Sequence, residues 1–233
     1  MSGGDAILGV CFDLDGTLVD SERLQWEAYR RVLADHGIDI GLDEYRRHFI
    51  AVAGGAEYAC RRYALPFDAA TLRLRKAAVY HELIAAGVPP MPGARACLER
   101  LHDRWRLAVV TNSTRAEATT ILDRLGLTAL LHAVVTREDY AAAKPAPDAY
   151  LAAAVARGLA PQACVAVEDT PRGLAAAHAA GMRVVAVPGE LTADQSFDGA
   201  WRRLPNLDAL AAALLGEIGA PARVRVRCSS CRT

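Results

Sequence analysis

Residues 6–21 read AILGVCFDLDGTLVDS, and this stretch decides the fold. An apolar run of strand length, Ala6–Phe12, ends abruptly at Asp13, and a second carboxylate follows at Asp15 before the turn residue Gly16. The run is continuous rather than alternating, as expected for a strand that is covered on both faces. Polar residues directly after such a strand predict a site at the carboxyl edge of a parallel sheet.

The same pattern recurs along the second half of the chain. Further strands are predicted at Arg106–Val110, His132–Thr136, Ala163–Val167 and Arg183–Val187. Helices are predicted between them at Gly93–Trp105, Thr114–Leu125, Pro147–Arg157 and Arg172–Ala180. Glycines just past three of these helices are typical C-caps. The alternation of strands and helices predicts an α/β fold with a Rossmann-like parallel sheet and flanking helices.

Residues 21–86 interrupt this alternation. They contain four stretches with a helical pattern, at Ser21–His36, Leu42–Ile50, Ala56–Ala64 and Asp68–Ala86. Ser21 is predicted to be the N-cap of the first of these helices. We therefore expect an all-helical cap domain inserted into the α/β core. The core is predicted to comprise residues 1–20 and 87–220, and the cap residues 21–86. Residues 221–233, which include Cys228 and Cys231, are predicted to form a flexible tail of undecided role.

The charge and hydropathy of the chain exclude several classes of partner. Lys and Arg number 27, and Asp and Glu also number 27, so no net charge attracts nucleic acid or an anionic membrane. No secretory signal and no uncharged apolar run of membrane-spanning length is visible. We expect a cytoplasmic monomer or homodimer with no nucleic-acid or membrane partner.

Four polar clusters follow the predicted strands. They are Asp13–Thr17, Thr111–Ser113, Lys144-Pro145 and Glu168-Asp169. Because the carboxyl ends of parallel strands lie at one edge of a sheet, we expect the four clusters to meet. Together they collect several carboxylates beside one lysine, which is costly unless a cation lies among them. An oxygen-rich ligand set without His or Cys favours Mg²⁺ over Zn²⁺.

The chemistry that suits such a site is phosphoryl transfer. A Mg²⁺ ion, a lysine and hydroxyl groups stabilise phosphoryl oxygens, and a spare carboxylate can act as a nucleophile. A calcium-binding loop at residues 13–24 is excluded, because Gly16 is at the fourth position instead of the sixth and Leu24 stands at the twelfth instead of Glu.

The four clusters resemble the motifs of the haloacid dehalogenase superfamily. Val10–Ser21 is similar to the first motif, and Thr111–Ser113, Lys144-Pro145 and Glu168–Gly173 are similar to the second, third and fourth, in the same order. The resemblance covers about residues 5–215. The helical insertion resembles the cap of the branch that contains β-phosphoglucomutase and phosphoglycolate phosphatase.

The resemblance implies catalytic roles for five residues. Asp13 would be the nucleophile that forms an aspartyl-phosphate, and Asp15 would be the general acid and then the general base. Thr111 and the backbone N–H of Asn112 would hold phosphoryl oxygens. Lys144 would bridge Asp13 and the phosphoryl group.

The resemblance also implies the Mg²⁺ ligands. Asp13 and Asp169 would bind the ion through their carboxylates, and Asp15 would bind it through its backbone carbonyl. Glu168 would either bind the ion directly or contact a group that binds the ion. The implied activity is that of a Mg²⁺-dependent phosphatase acting on a small phosphorylated metabolite, either a sugar phosphate or a phosphoglycolate-like acid.

Other activities are weighed against this one. Asp15 argues against dehalogenation, because only an alcohol leaving group needs a proton. Gln25 stands where the mutase pattern has a histidine, which favours hydrolysis over a sugar phosphomutase. A non-catalytic phosphometabolite-binding protein is the third alternative. The sequence does not identify the cap residues that select the substrate, and Arg46 and Arg47 are predicted to be solvated surface residues.

Overall fold

The computed structural model describes residues 6–52 and 54–217. In chain order its strands are β1 (Gly9–Phe12), β2 (Arg106–Val110), β3 (Ala133–Val135), β4 (Cys164–Glu168), β5 (Arg183–Ala186) and β6 (Arg202–Arg203). Its α-helices are α1 (Glu22–Ala34), α2 (Leu42–Tyr45), α3 (Gly55–Arg62), α4 (Ala69–Ala86), α5 (Ala94–His102), α6 (Arg115–Arg124), α7 (Asp148–Ala156), α8 (Pro171–Ala179) and α9 (Leu207–Glu217).

The six strands form one parallel sheet in the order β3-β2-β1-β4-β5-β6. β1 lies between β2 and β4, and Gly9 is in register with both Arg106 and Cys164. The strand order reverses at β1, which makes its carboxyl end the usual ligand position in such sheets. Asp13 therefore lies at the middle of the functional edge.

The two faces of the sheet are covered by separate apolar clusters. Val10 and Phe12 of β1 belong to the cluster that contains residues of α5, α6 and α9. Cys11 points to the opposite face and belongs to the cluster that contains residues of α7 and α8. Burial on both faces explains why the β1 sequence is apolar without alternation. The predicted α/β fold with flanking helices is confirmed.

The helices α1–α4 lie between β1 and β2 in the chain and have an apolar core of their own. Its buried members are Val32, Leu33, Ile40, Tyr45, Ala56, Ala59 and Leu72. α4 packs along α1, and its C-terminal part also packs against α6 of the α/β core. The predicted all-helical insertion is therefore present, and it covers the carboxyl edge of the sheet.

Several predicted boundaries are wrong. The helix predicted over residues 42–50 is α2 followed by a π-helical turn at Arg46–Ile50. The first strand begins at Gly9, because only the residues from there to Phe12 are in ladder register with both β2 and β4. β4 extends to Glu168, since this residue still pairs with β5. β6 was not predicted, and no bounds were predicted for α9.

Within the described ranges, no helix combines the length and the apolar character that crossing a bilayer requires. The tail predicted at 221–233, including Cys228 and Cys231, lies outside the described residues.

Candidate active site

The four polar clusters meet at the carboxyl edge of the sheet. Asp13 follows β1, Thr111 follows β2, Lys144 lies in the loop after β3, and Glu168 ends β4. Asp13 and Lys144 are 131 residues apart in the chain and are joined by a hydrogen bond of 2.6 Å. The parallel topology accounts for this convergence, because each loop leaves the sheet at the same edge.

Lys144 joins two carboxylates of the site. Its Nζ donates to Asp13 Oδ1 and to Glu168 Oε1, each at 2.6 Å, and to the carbonyl oxygen of Val110 at 2.8 Å. Tyr150 adds a hydroxyl that donates to the same Glu168 oxygen. Burial alone would lower the pKa of Lys144, but the two carboxylates reverse this effect and raise the pKa above that of an ordinary lysine. The lysine is therefore a fixed cation.

Three carboxylates lie close enough to share a metal ion. One oxygen from each of Asp13, Glu168 and Asp169 lies within 4.8 Å of the others, and all three residues are buried. Burial raises the pKa of Asp13, although Lys144 opposes the shift, and burial together with the charges of Asp13 and Glu168 raises that of Asp169. Asp169 Oδ1 has no hydrogen-bond partner among the described residues. This unpartnered oxygen and the carboxylate donor set fit a hard divalent cation such as Mg²⁺.

Two glycines allow backbone segments to approach these carboxylates closely. Gly16 has a φ of +81°, and a Cβ atom there would overlap with the carboxylate of Asp169. A Cβ atom at Gly173, in the first turn of α8, would overlap with the carboxylate of Glu168. Both glycines are thus required by the space that the acidic cluster occupies.

Asp15 is held by hydroxyl groups from both the core and the cap. Its Oδ2 accepts hydrogen bonds from Ser113 Oγ at 2.8 Å and from Thr111 Oγ1 at 3.1 Å. Its Oδ1 accepts one from Ser21 Oγ at 2.5 Å. Ser21 was predicted to cap α1, but its hydroxyl makes no cap hydrogen bond, because it donates to Asp15 instead. The hydroxyl of Tyr80, from α4, also donates to Oδ1 at the longer distance of 3.5 Å.

The loop after β2 connects the remaining predicted residues. Thr111 is fully buried, and its hydroxyl also accepts a hydrogen bond from the backbone N–H of Ser113 at 2.9 Å. The side-chain oxygen of Asn112 accepts from the Tyr140 hydroxyl at 2.8 Å and from the backbone N–H of Lys144 at 3.2 Å. Asn112 therefore orients the Lys144 loop. Ser113 belonged to the polar cluster seen in the sequence, but its contact with Asp15 was not predicted.

A cavity of about 250 Å³ lies over these residues, and we call it the site cavity. Its lining from the core includes Asp13, Asp15, Asn112, Ser113, Glu117, Lys144, Asp169, Thr170 and Arg172. The cap contributes Glu22, Gln25 and Lys76. The chain has two lysines, Lys76 and Lys144, and both line this cavity.

A neighbouring cavity of about 280 Å³ extends into the helical cap, and we call it the cap cavity. It shares five lining residues with the site cavity: Glu22, Gln25, Lys76, Thr170 and Arg172. Tyr29, Tyr45 and Phe49 line it with aromatic rings, and Arg73 adds a guanidinium group. The two cavities provide space for a substrate that is larger than a phosphate ion.

The basic cap residue that lines both cavities is Lys76, and neither Arg46 nor Arg47 lines them. Lys76 is half-buried, its pKa is lowered by burial, and its ammonium lies 4.4 Å from the ring centroid of Tyr80. No sequence signal pointed to it, because α4 carries other basic residues. Arg46, predicted to be a surface residue, is partly exposed, and it forms an ion pair with Asp194 at 2.8 Å and donates to the backbone oxygen of Leu191.

Comparison with known proteins identifies the family. A family model of haloacid dehalogenase-like hydrolases matches residues 7–181. The chain belongs to this family. The resemblance that the four motifs carried is thereby confirmed, and the haloacid dehalogenase-like fold accounts for the parallel sheet and the helical insertion.

Relatives within the haloacid dehalogenase-like family include named phosphatases. The chain is 36% identical to protein CbbY of Rhodobacter capsulatus over 221 residues, which cover 89% of this chain and 96% of that protein. It is 32% identical to the fructose-1-phosphate phosphatase YqaB of Escherichia coli over 184 residues, covering 77% and 95%. These relatives confirm the prediction that the chain is a phosphoric monoester hydrolase.

A solved structure shows the same fold with a ligand. It is a mutant of CbbY from Rhodobacter sphaeroides in complex with xylulose-1,5-bisphosphate. It matches 86% of this chain and 95% of its own, with a TM-score of 0.74 and 28% identity.

Proposed function

We propose that this chain is a Mg²⁺-dependent phosphatase that hydrolyses a small phosphorylated metabolite, a sugar phosphate or a phosphoglycolate-like acid, through an aspartyl-phosphate on Asp13. The observation that carries the proposal is the pairing of two carboxylates with different surroundings in one cavity. Asp13 lies against the fixed cation of Lys144 at 2.6 Å, and Asp15 accepts hydrogen bonds from four hydroxyls. One carboxylate is suited to attack phosphorus and the other to move a proton.

The residues that would hold the ion are Asp13, Asp169 and Glu168, together with the backbone carbonyl of Asp15. When bound, a divalent cation offsets the negative charge of the carboxylates and of the phosphoryl oxygens. The unpartnered buried oxygen of Asp169 supports this assignment.

Asp13 and Lys144 would perform the first step together. An Asp13 oxygen attacks phosphorus while the ester bond to the alcohol breaks. The Lys144 ammonium reduces the repulsion between the anionic nucleophile and the anionic phosphate. The hydroxyl of Thr111 and the backbone N–H of Asn112 would hold phosphoryl oxygens during this step.

Asp15 would move the proton in both steps. It gives a proton to the leaving alcohol, and the hydroxyls of Ser21, Thr111 and Ser113 stabilise the carboxylate that remains. It then takes a proton from the water that attacks the aspartyl-phosphate, which releases inorganic phosphate and restores Asp13. Asp15 is therefore protonated again at the end of the cycle, and the reaction needs no second proton donor or acceptor.

The lining of the cavities supports hydrolysis of an oxygen-rich substrate. Lys76 and Arg172 line both cavities and supply positive charge beyond the phosphoryl site. Gln25 also lines both cavities, and its amide cannot act as the acid or base that a mutase needs. A protein that only bound phosphometabolites would not need the Asp13 and Asp15 pair.

The test measures inorganic phosphate released from sugar phosphates and from phosphoglycolate, with Mg²⁺ and with a chelator. We expect turnover only with Mg²⁺, and the substitution Asp13→Asn should lower kcat by at least about 10³-fold, because an amide is a poor nucleophile. Asp103→Asn, at an exposed position after α5, is the matched control and should behave like the wild type.

Two results would contradict the proposal. Turnover by Asp13→Asn at the wild-type rate would remove the nucleophile from the mechanism. Conversion of a hexose 1-phosphate to the 6-phosphate, without phosphate release, would indicate a mutase instead.

A further inference from the structure

Glu22 lies where the two cavities meet. It is the first residue of α1, directly after Ser21, and it lines both the site cavity and the cap cavity. Gln25 follows three residues later on the same face of the helix and lines the same two cavities. Two hydrogen-bonding side chains of the cap therefore stand next to each other, beside the path from the phosphoryl site into the cap.

The Glu22 carboxylate is positioned by one contact within the cap. The hydroxyl of Tyr45, which is buried, donates to Glu22 Oε2 at 3.0 Å. Among the described residues, no hydrogen-bond donor contacts Glu22 Oε1. A carboxylate oxygen in the wall of a cavity needs a donor, and a bound ligand can supply it.

The charged neighbours of Glu22 decide which ligand group fits. Burial raises the pKa of Glu22 and the charge of Asp15 adds to this shift, while the hydrogen bond from Tyr45 and the charges of Lys76 and Arg172 oppose it. A phosphate or carboxylate group of a substrate would be repelled by Glu22 and attracted by the two basic residues. A hydroxyl group can donate to Glu22 without this repulsion.

We propose that Glu22 is a specificity-determining residue, which accepts a hydrogen bond from a hydroxyl group on the carbon chain of the substrate, and that Tyr45 is its positioning residue. This inference rests on the proposed phosphatase function. It narrows the substrate class to phosphate esters of sugars and sugar alcohols and disfavours phosphoglycolate-like acids.

The test compares two six-carbon substrates that differ in their hydroxyl groups, sorbitol 6-phosphate and n-hexyl phosphate. Glu22→Ala should lower kcat/KM for the sorbitol ester about 10-fold to 100-fold more than for the hexyl ester, mainly through KM, because one hydrogen bond to a charged group is lost. Glu22→Gln keeps an acceptor oxygen and should restore part of this difference.

Two further variants separate specificity from folding. Tyr45→Phe removes the hydroxyl that holds Glu22 and should shift the substrate ratio in the same direction, by about 3-fold to 10-fold. Glu82→Ala, at an exposed position on α4 that lines neither cavity, is the control and should leave the ratio unchanged. Thermal unfolding of each variant checks that the fold is intact.

The outcomes distinguish the two proposals. If Glu22→Ala lowers kcat/KM equally for both esters, or for neither, the specificity role of Glu22 is refuted while the phosphatase function stands. If the wild-type protein with Mg²⁺ releases phosphate from phosphoglycolate but from neither ester, this inference fails while the phosphatase function stands. Release from none of the three compounds overturns both.

Discussion

At the scale of single residues, the charge balance of the site depends on Lys144. Its side chain is 4% exposed, and its two carboxylate partners, Asp13 and Glu168, are 12% and 1% exposed. Charges that are so well shielded from water are tolerated only when they are paired. Removing the cation would leave two neighbouring carboxylates without compensation.

Lys144→Met should therefore destabilise the fold by about 3–5 kcal/mol, as measured by urea unfolding without metal. Adding Glu168→Gln should recover part of this loss but not the activity, because one of the two uncompensated charges is gone. Lys76→Met is the matched control. Lys76 makes no ion pair among the described residues and burial disfavours its charge, so its loss should change stability by less than about 1 kcal/mol. Equal stability of Lys144→Met and wild type would contradict this account.

At the scale of elements, the contact between α8 and the end of β4 shapes the acidic cluster. Thr170 caps α8 by accepting a hydrogen bond from the backbone N–H of Gly173, and Gly173 packs directly against the Glu168 carboxylate. The helix can lie this close to the strand because Gly173 has no side chain. The position of Glu168 beside Lys144 thus depends on the packing of a helix as well as on the strand.

Gly173→Ala should lower the free energy of unfolding by about 1–3 kcal/mol and reduce turnover, because the new methyl group displaces Glu168. Gly216→Ala is the matched control within α9. A Cβ atom at Gly216 meets no atom within 4 Å, so alanine should be neutral or should stabilise the helix by up to about 1 kcal/mol. Thermal unfolding measures the stability of both variants. An unchanged melting temperature for Gly173→Ala would contradict the expected loss of stability, because it would show that Glu168 can move without cost.

At the scale of the whole molecule, the catalytic edge of the core is enclosed by the helical cap. Ser21 donates to Asp15, and Arg46 binds Asp194 and Leu191, so the cap contacts both the active site and the loop after β5. Enclosure lowers the effective dielectric constant around the acidic cluster, which increases the repulsion among its carboxylates. A bound divalent cation should therefore stabilise the folded protein measurably.

Mg²⁺ at about 100 times its dissociation constant should add about 2.7 kcal/mol to the stability and raise Tm by about 5–10 °C. Calorimetry in Mg²⁺ and in chelator, at equal ionic strength, measures the difference. Asp13→Asn should melt above the wild type in chelator and gain less from Mg²⁺, because one carboxylate of the cluster has become neutral. No rise of Tm with Mg²⁺ would contradict the metal assignment.

Much of the fold and of the catalytic edge could be predicted from local patterns. The period of the apolar residues distinguishes strands from helices, and a polar residue after each strand marks the carboxyl edge. Asp13, Lys144 and Glu168 could be expected together because parallel strands all end on one side. The π-helical turn at Arg46–Ile50 and the short β6 have no comparable pattern and were not predicted.

The amino-acid sequence by itself determined the order of β1 to β5 and of the helices between them, the family, and the acidic and basic residues of the core site, because these depend on neighbours along the chain. Only the tertiary structure decided that Ser21 donates to Asp15, and that Glu22 and Lys76 line the cavities. These contacts arise from the packing of α4 on α1 and of the cap over the sheet. Side chains from distant segments meet only when those elements pack, and no local pattern in the sequence encodes that geometry.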